Sequence, residues 1–118
     1  MVRILQGFDG YMTLDETQSS DLIAINHAKH FSIQVVVTGA DGTAVGEIAV
    51  QVSNDKENWC DVYWVDQSGT IQDGYDVSNT DFTHMFDASD VAAGWARLTY
   101  NRTSGTGGLH FYINTKRV

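Results

Sequence analysis

The chain has 118 residues, 42% of them apolar, and a formal net charge of −8. That size fits a single domain, residues 1–118, with a core large enough to fold alone, and the composition argues against disorder. The acidic balance argues against nucleic acid as main partner, because phosphate binding needs a basic face, and no apolar run is long enough for a membrane span.

There is no proline, so turns fall to Gly, Asn, Asp and Ser. Cys60 is the only cysteine and has no intrachain disulfide partner. MVRILQGFDG lacks signal-peptide architecture, so the expected setting is assembly in a reducing cytoplasm.

Along the chain, Val2 to Leu5 reads as a short strand, Thr17 to Ser20 as polar loop, Asp21 to Ile25 as a short strand and Asn26 to His30 as a turn. Phe31, Ile33, Val35 and Val37 alternate with Ser32, Gln34 and Thr38, the period of a half-buried strand. Gly39 to Gly46 is a connection containing the turn dipeptide Asp41-Gly42. Glu47 to Ser53 alternates again, with Ile48, Val50 and Val52 inward. The polar turn Ser53-Asn54-Asp55-Lys56-Glu57-Asn58 then delivers Trp59, expected to anchor the turn in the core.

Trp59 to Val65 reads as a third strand. Its adjacent Tyr63 and Trp64 point to opposite faces, so one of them leaves the core. Asp66 to Asn79 is loop-like, with a short strand at Thr70 to Gln72. Asp81 to Asp87 alternates through Phe82, His84 and Phe86. Ala88 to Gly94 fits one helical turn, capped at Ser89-Asp90 and stopped at Gly94. Trp95 to Asn101 and Leu109 to Thr115 form a last hairpin around the glycine-rich turn Thr103 to Gly108. Many short strands, glycine-rich turns and at most one helical turn predict an all-β fold, an antiparallel β-sandwich or small barrel of jelly-roll type.

Catalytic constellations are not spelled out. His27 and His30, with Asp21 nearby, are too few for a zinc site, and His84 and His110 sit within alternating strands as structural side chains. Cys60 follows Trp59 and precedes Asp61 at a strand start, and nothing there marks it as an activated nucleophile. Gly105-Thr106-Gly107-Gly108 precedes a strand, whereas a phosphate loop precedes a helix. The chain is therefore read as a non-enzyme with no cofactor.

Charge is uneven. Residues 54–90 carry nine acids against Lys56 alone, and residues 97–118 carry Arg97, Arg102, Lys116 and Arg117 with no acid. Complementarity between that basic end and the acidic stretch, including Asp73, Asp76, Asp87 and Asp90, is the expected self-interface.

Two stretches, FSIQVVVTGADGTAVGEIAVQVSNDKENW and GWARLTYNRTSGTGGLHFYINTKR, resemble small β-rich virion structural proteins of tailed bacteriophages. The resemblance implies a capsid decoration, or cement, protein. It would be a homo-oligomer, with a trimer expected, binding the major capsid protein on the capsid exterior, with no nucleic-acid or membrane partner. A head–tail or tail component is the neighbouring possibility. From another class, a carbohydrate-binding module of a virion or cell surface would suit an outward aromatic. The Ser53-Asn54-Asp55 to Trp59 turn is also similar to the S-x-D-G-x-x-W turn of discoidin-type modules. Lys56 stands where that family has Gly, and common turn chemistry accounts for the likeness.

Overall fold

The structure, a computed structural model, describes residues 3–25, 30–40, 43–89 and 93–117. Twelve strands run in chain order: β1 Arg3–Thr13, β2 Gln18–Ser19, β3 Ile23–Ala24, β4 His30–Thr38, β5 Val45–Ser53 and β6 Cys60–Asp61. They continue as β7 Trp64–Val65, β8 Ile71–Gln72, β9 Tyr75–Ser78, β10 Phe82–Ser89, β11 Trp95–Ser104 and β12 Gly108–Arg117. The described residues contain no helix.

The first sheet has the order β1-β12-β4-β10. In the second, β2 and β3 share one edge of β11, β5 lies along its other edge, and β6 and β9 share the far edge of β5. All of these pairings are antiparallel. Counting β2/β3 and β6/β9 as one strand position each, the two sheets hold positions 1-8-3-6 and 2-7-4-5. That order is a double-sheet jelly roll, the sandwich type expected from the sequence.

The core follows from the alternation. Phe31, Ile33, Val35 and Val37 from β4 and Leu109, Phe111 and Ile113 from β12 face Ile48 and Val50 from β5 and Ala96, Leu98 and Tyr100 from β11. Tyr100 is buried, and its hydroxyl donates to the Val45 carbonyl at 3.3 Å. Burial pushes that phenol's pKa up. Gly46 makes room for it: a Cβ there would stand 2.4 Å from the Tyr100 hydroxyl oxygen.

Several sequence expectations are corrected. The strand expected at Val2 to Leu5 extends to Thr13, because its core-facing slot at Gly10 is filled by Phe111 reaching across from β12. The loop at Thr17 to Ser20 contributes β2, and β9 lies inside the segment read as loop. Trp59 to Val65 is split, since Cys60–Asp61 pairs with β5 whereas Trp64–Val65 pairs with β8. Ala88 and Ser89, placed in a helical turn, are strand residues opposite Phe31 and His30. The Asp90 cap, the Asp41-Gly42 dipeptide and His27 lie outside the described residues.

Candidate functional site

Three parts of the surface carry chemistry that the core does not use. The first is the polar turn after β5. Ser53 Oγ accepts from the backbone N–H groups of Asp55 and Lys56 and donates to Asp55 Oδ1. Asp55 also accepts from the N–H groups of Glu57 and Asn58 and from the Asn58 side chain. These donors hold the Asp55 carboxyl far below the usual carboxylate range. The carboxylate is consumed by its own turn and has little left for a ligand.

Trp59, which leaves that turn, is not a core anchor. It is half-buried on the outer side of the second sheet, where the Arg97 guanidinium lies 4.2 Å from its ring centroid. Arg97 Nε and Nη2 both donate to Gln51 Oε1, at 2.9 and 2.8 Å, and Gln51 Nε2 donates to Asp61 Oδ1. The physical reason is register. Arg97 is paired with Gln51 between the inward Ala96 and Leu98, so it projects outward and supplies the cover that Trp59 needs.

The second part is the β7–β8 ribbon. Trp64 turns inward, donates its indole N–H to the Gly74 carbonyl at 3.1 Å, and packs edge-on against Phe86. Tyr63 and Val65 consequently turn outward, and Val65 pairs with Ile71. These three side chains are 64%, 64% and 69% exposed, respectively. The ribbon is held by Asp66, whose carboxylate accepts from the N–H groups of Ser68 and Thr70, the Ser68 hydroxyl and the Gln72 amide. Those bonds lower its pKa to about 2.

The third part is the outer face of the first sheet. Asp9 and Tyr11 on β1 pair with Tyr112 and His110 on β12, which in turn pair with Gln34 and Val36 on β4. Tyr11 is 57% exposed and Tyr112 44%. The Tyr11 ring lies along β12 with its hydroxyl end over Gly108, where a Cβ would stand 2.7 Å from the oxygen. Its other neighbour is the His110 ring, 4.7 Å between centroids. Asn114 continues this face along β12, and Met85 and Asp87 extend it onto β10.

Apart from Asp73, the described residues of the expected charge interface lie on strands of both sheets. Arg97 covers Trp59, whereas Arg102, at the other end of β11, donates its Nε to the Gly105 carbonyl. Lys116 and Arg117 end β12 in the other sheet, opposite His30 of β4 and Arg3 of β1. Asp73 and Asp76 stand beside Glu47, whose carboxyl pKa is raised by burial and then by those two charges and Asp61. Asp87 faces outward on β10. Asp73 and Asp76 are thus gathered beside Glu47, and Asp90 lies outside the described residues. Tyr11 and Tyr112 come together only in the fold: alternation along β12 turns Tyr112 outward, but nothing in the β1 sequence announces Tyr11.

No family model and no curated protein matches the chain. Solved structures do match. The SPBc2 prophage-derived protein YomS superposes with a TM-score of 0.56 at 8% identity, covering 96% of this chain and 98% of YomS. A structure titled "CBM4 structure and function" superposes with a TM-score of 0.50 at 14% identity, covering 98% of this chain and 78% of the other. At these identities the likeness is one of fold, and one of the two is phage-derived.

Proposed function

We propose that this chain is a structural protein of a tailed-bacteriophage virion, a decoration protein that docks on the outside of the capsid through protein–protein contacts. The observation that carries the reading is the Tyr63, Val65 and Ile71 patch. Val65 and Ile71, paired across a ribbon held by internal hydrogen bonds, and Tyr63, two residues before Val65, are each about two-thirds exposed. Exposed apolar clusters of this kind mark contact surfaces, because water leaves them favourably when a partner covers them. The prophage origin of YomS, and the match along nearly all of both chains, support the same reading. The proposed partner is the major capsid protein, and self-association as a trimer belongs to the proposal.

Particles lacking the protein, mixed with purified chain and imaged by cryo-electron microscopy, provide the test. Density for the chain on the capsid lattice is expected, and it should vanish for Val65→Lys with Ile71→Lys while the fold persists. Density confined to the tail, or undiminished decoration by the double variant, would sink the proposal.

A second reading, a carbohydrate-binding module carried by a virion or cell surface, is favoured by a separate observation. Tyr11 and Tyr112 are exposed among polar side chains on a sheet face remote in sequence from the ribbon. The CBM4 likeness in fold supports it.

A further inference from the structure

We infer that the outer face of the first sheet, centred on Tyr11 and Tyr112, binds a neutral oligosaccharide chain laid across β1 and β12. The inference rests on the second functional reading and gives it a site and a ligand class.

Three observations converge. The first is the pair of aromatic platforms. Tyr11 lies over Gly108, and Tyr112 stands on the same face of β12, two residues beyond His110. The sheet thus offers aromatic surface separated along the strand by roughly 7 to 14 Å, taking about 3.4 Å per residue. The C–H bonds on one face of a pyranose ring carry partial positive charge, which the negative face of an aromatic ring attracts. Two platforms at this spacing suit a chain of sugars better than a single ring.

The second observation is the polar ring around them. Tyr112 is flanked by Asp9 on β1 and Gln34 on β4, and Asn114 follows Tyr112 on β12. Carboxylate and amide groups can accept and donate to adjacent hydroxyls, and they fix a ligand's orientation where aromatic contacts supply the area. A protein-docking surface of this size would instead be expected to have an apolar centre with the polar groups pushed to its rim. Here polar and aromatic residues alternate across the strands.

The third observation is charge. Asp9 and Asp87 place carboxylates on this face, and the next lysine position along β12, Lys116, lies four residues beyond Tyr112 at the end of the strand. Uronic acids, sulfated glycans and nucleic acids would meet repulsion from these two carboxylates beside the platforms. The ligand class is therefore uncharged.

Affinity electrophoresis of the full chain through gels containing β-1,3-glucan, β-1,4-glucan, xylan or mannan, with alginate and heparin gels beside them, tests the inference. Retardation by at least one neutral polymer and by neither acidic polymer is expected. Tyr11→Ala and Tyr112→Ala should each weaken it by roughly tenfold. Tyr112→Phe should keep most of it, and Val65→Lys on the ribbon should leave it intact. Urea midpoints close to wild type would show that the Ala variants fold. If no polymer retards the chain, both the inference and the carbohydrate reading fail. If a neutral polymer retards it but Tyr11→Ala with Tyr112→Ala changes nothing, the site is wrong and the carbohydrate reading stands. A wild-type oligomer that Tyr112→Ala dissociates in sedimentation equilibrium would make this face a self-interface and overturn the inference.

Discussion

Lys56 holds its backbone at a φ of 66° and sets its ammonium 4.0 Å from the centroid of the Trp95 ring. The two facts belong together. A left-handed conformation costs an L-residue roughly 1–2 kcal/mol, which is why a glycine is the usual occupant of such a turn position. The cation over the Trp95 face returns about 0.5–1 kcal/mol at an exposed site. Lys56→Ala keeps the strained backbone and loses the contact, whereas Lys56→Gly loses the contact and relieves the strain. Lys56→Gly is therefore expected to be the more stable of the two, by about 1 kcal/mol in urea denaturation. An alanine variant equal to or better than the glycine variant would contradict this account of the turn.

His84 gives the fold a pH dependence of known sign. Its ring stacks on Tyr75 at 4.0 Å and meets Trp64 and Phe86 edge-on, and its buried Nε2 has no hydrogen-bond partner among the described residues. Burial lowers its pKa below the ordinary imidazole value of 6.5. The unfolded chain then binds the proton more readily than the folded one. Stability is fully present above pH 6.5 and falls as the pH drops through the lower folded value. Glu47 has the opposite sign, since its raised pKa makes the folded state gain from protonation. Subtracting variant from wild type isolates the histidine. His84→Phe should remove a decline in melting temperature between about pH 7 and pH 5 and should cost little at neutral pH, because an unpartnered buried polar atom goes with it. An unchanged decline in the variant would assign the dependence elsewhere.

The parts of this fold that show in the sequence are those where each strand supplies its own apolar side. In β4, Phe31 to Val37 fill one face without help, and β5, β11 and β12 do likewise. β1 is hidden because its inward position at Gly10 is occupied by a ring from β12, so the alternation that would announce it is carried by another strand. The same displacement hides the candidate sites. Tyr11 becomes a platform only once β1 is known to lie beside Gly108. Trp59 is directed outward by Arg97, a residue from a strand that the sequence does not place beside it. The charge pattern along the chain likewise does not reveal the layers: Arg97 and Arg102 share a strand in one sheet, while Lys116 and Arg117 close a strand in the other.

Arg97 is expected to contribute through packing as much as through charge. Its guanidinium covers Trp59 while two of its N–H groups converge on one Gln51 oxygen. Lysine cannot present two donors to that oxygen in the same fixed geometry. Arg97→Ala should lower stability by about 1–2 kcal/mol, summing an exposed cation–π contact and a side-chain hydrogen bond. Arg97→Lys should fall between Ala and wild type. Equal urea midpoints for Arg97→Lys and wild type would mean that the fork geometry contributes nothing.

Gly10 and Phe111 should behave as a coupled pair. They are directly opposite in the β1–β12 register, and a Cβ on Gly10 would stand 2.4 Å from the Phe111 Cζ. The ring is buried in the core, so it has little room to move away. Gly10→Ala is accordingly expected to cost about 1–3 kcal/mol through overpacking. Phe111→Leu shortens the side chain and opens the space that the new methyl group needs. The double variant should therefore lie closer to Phe111→Leu alone than the sum of the two single costs would place it. A thermodynamic cycle built from urea midpoints measures that difference, which neighbouring core residues commonly show at about 0.5–3 kcal/mol. Additive costs would mean that the Phe111 ring is not what keeps position 10 a glycine.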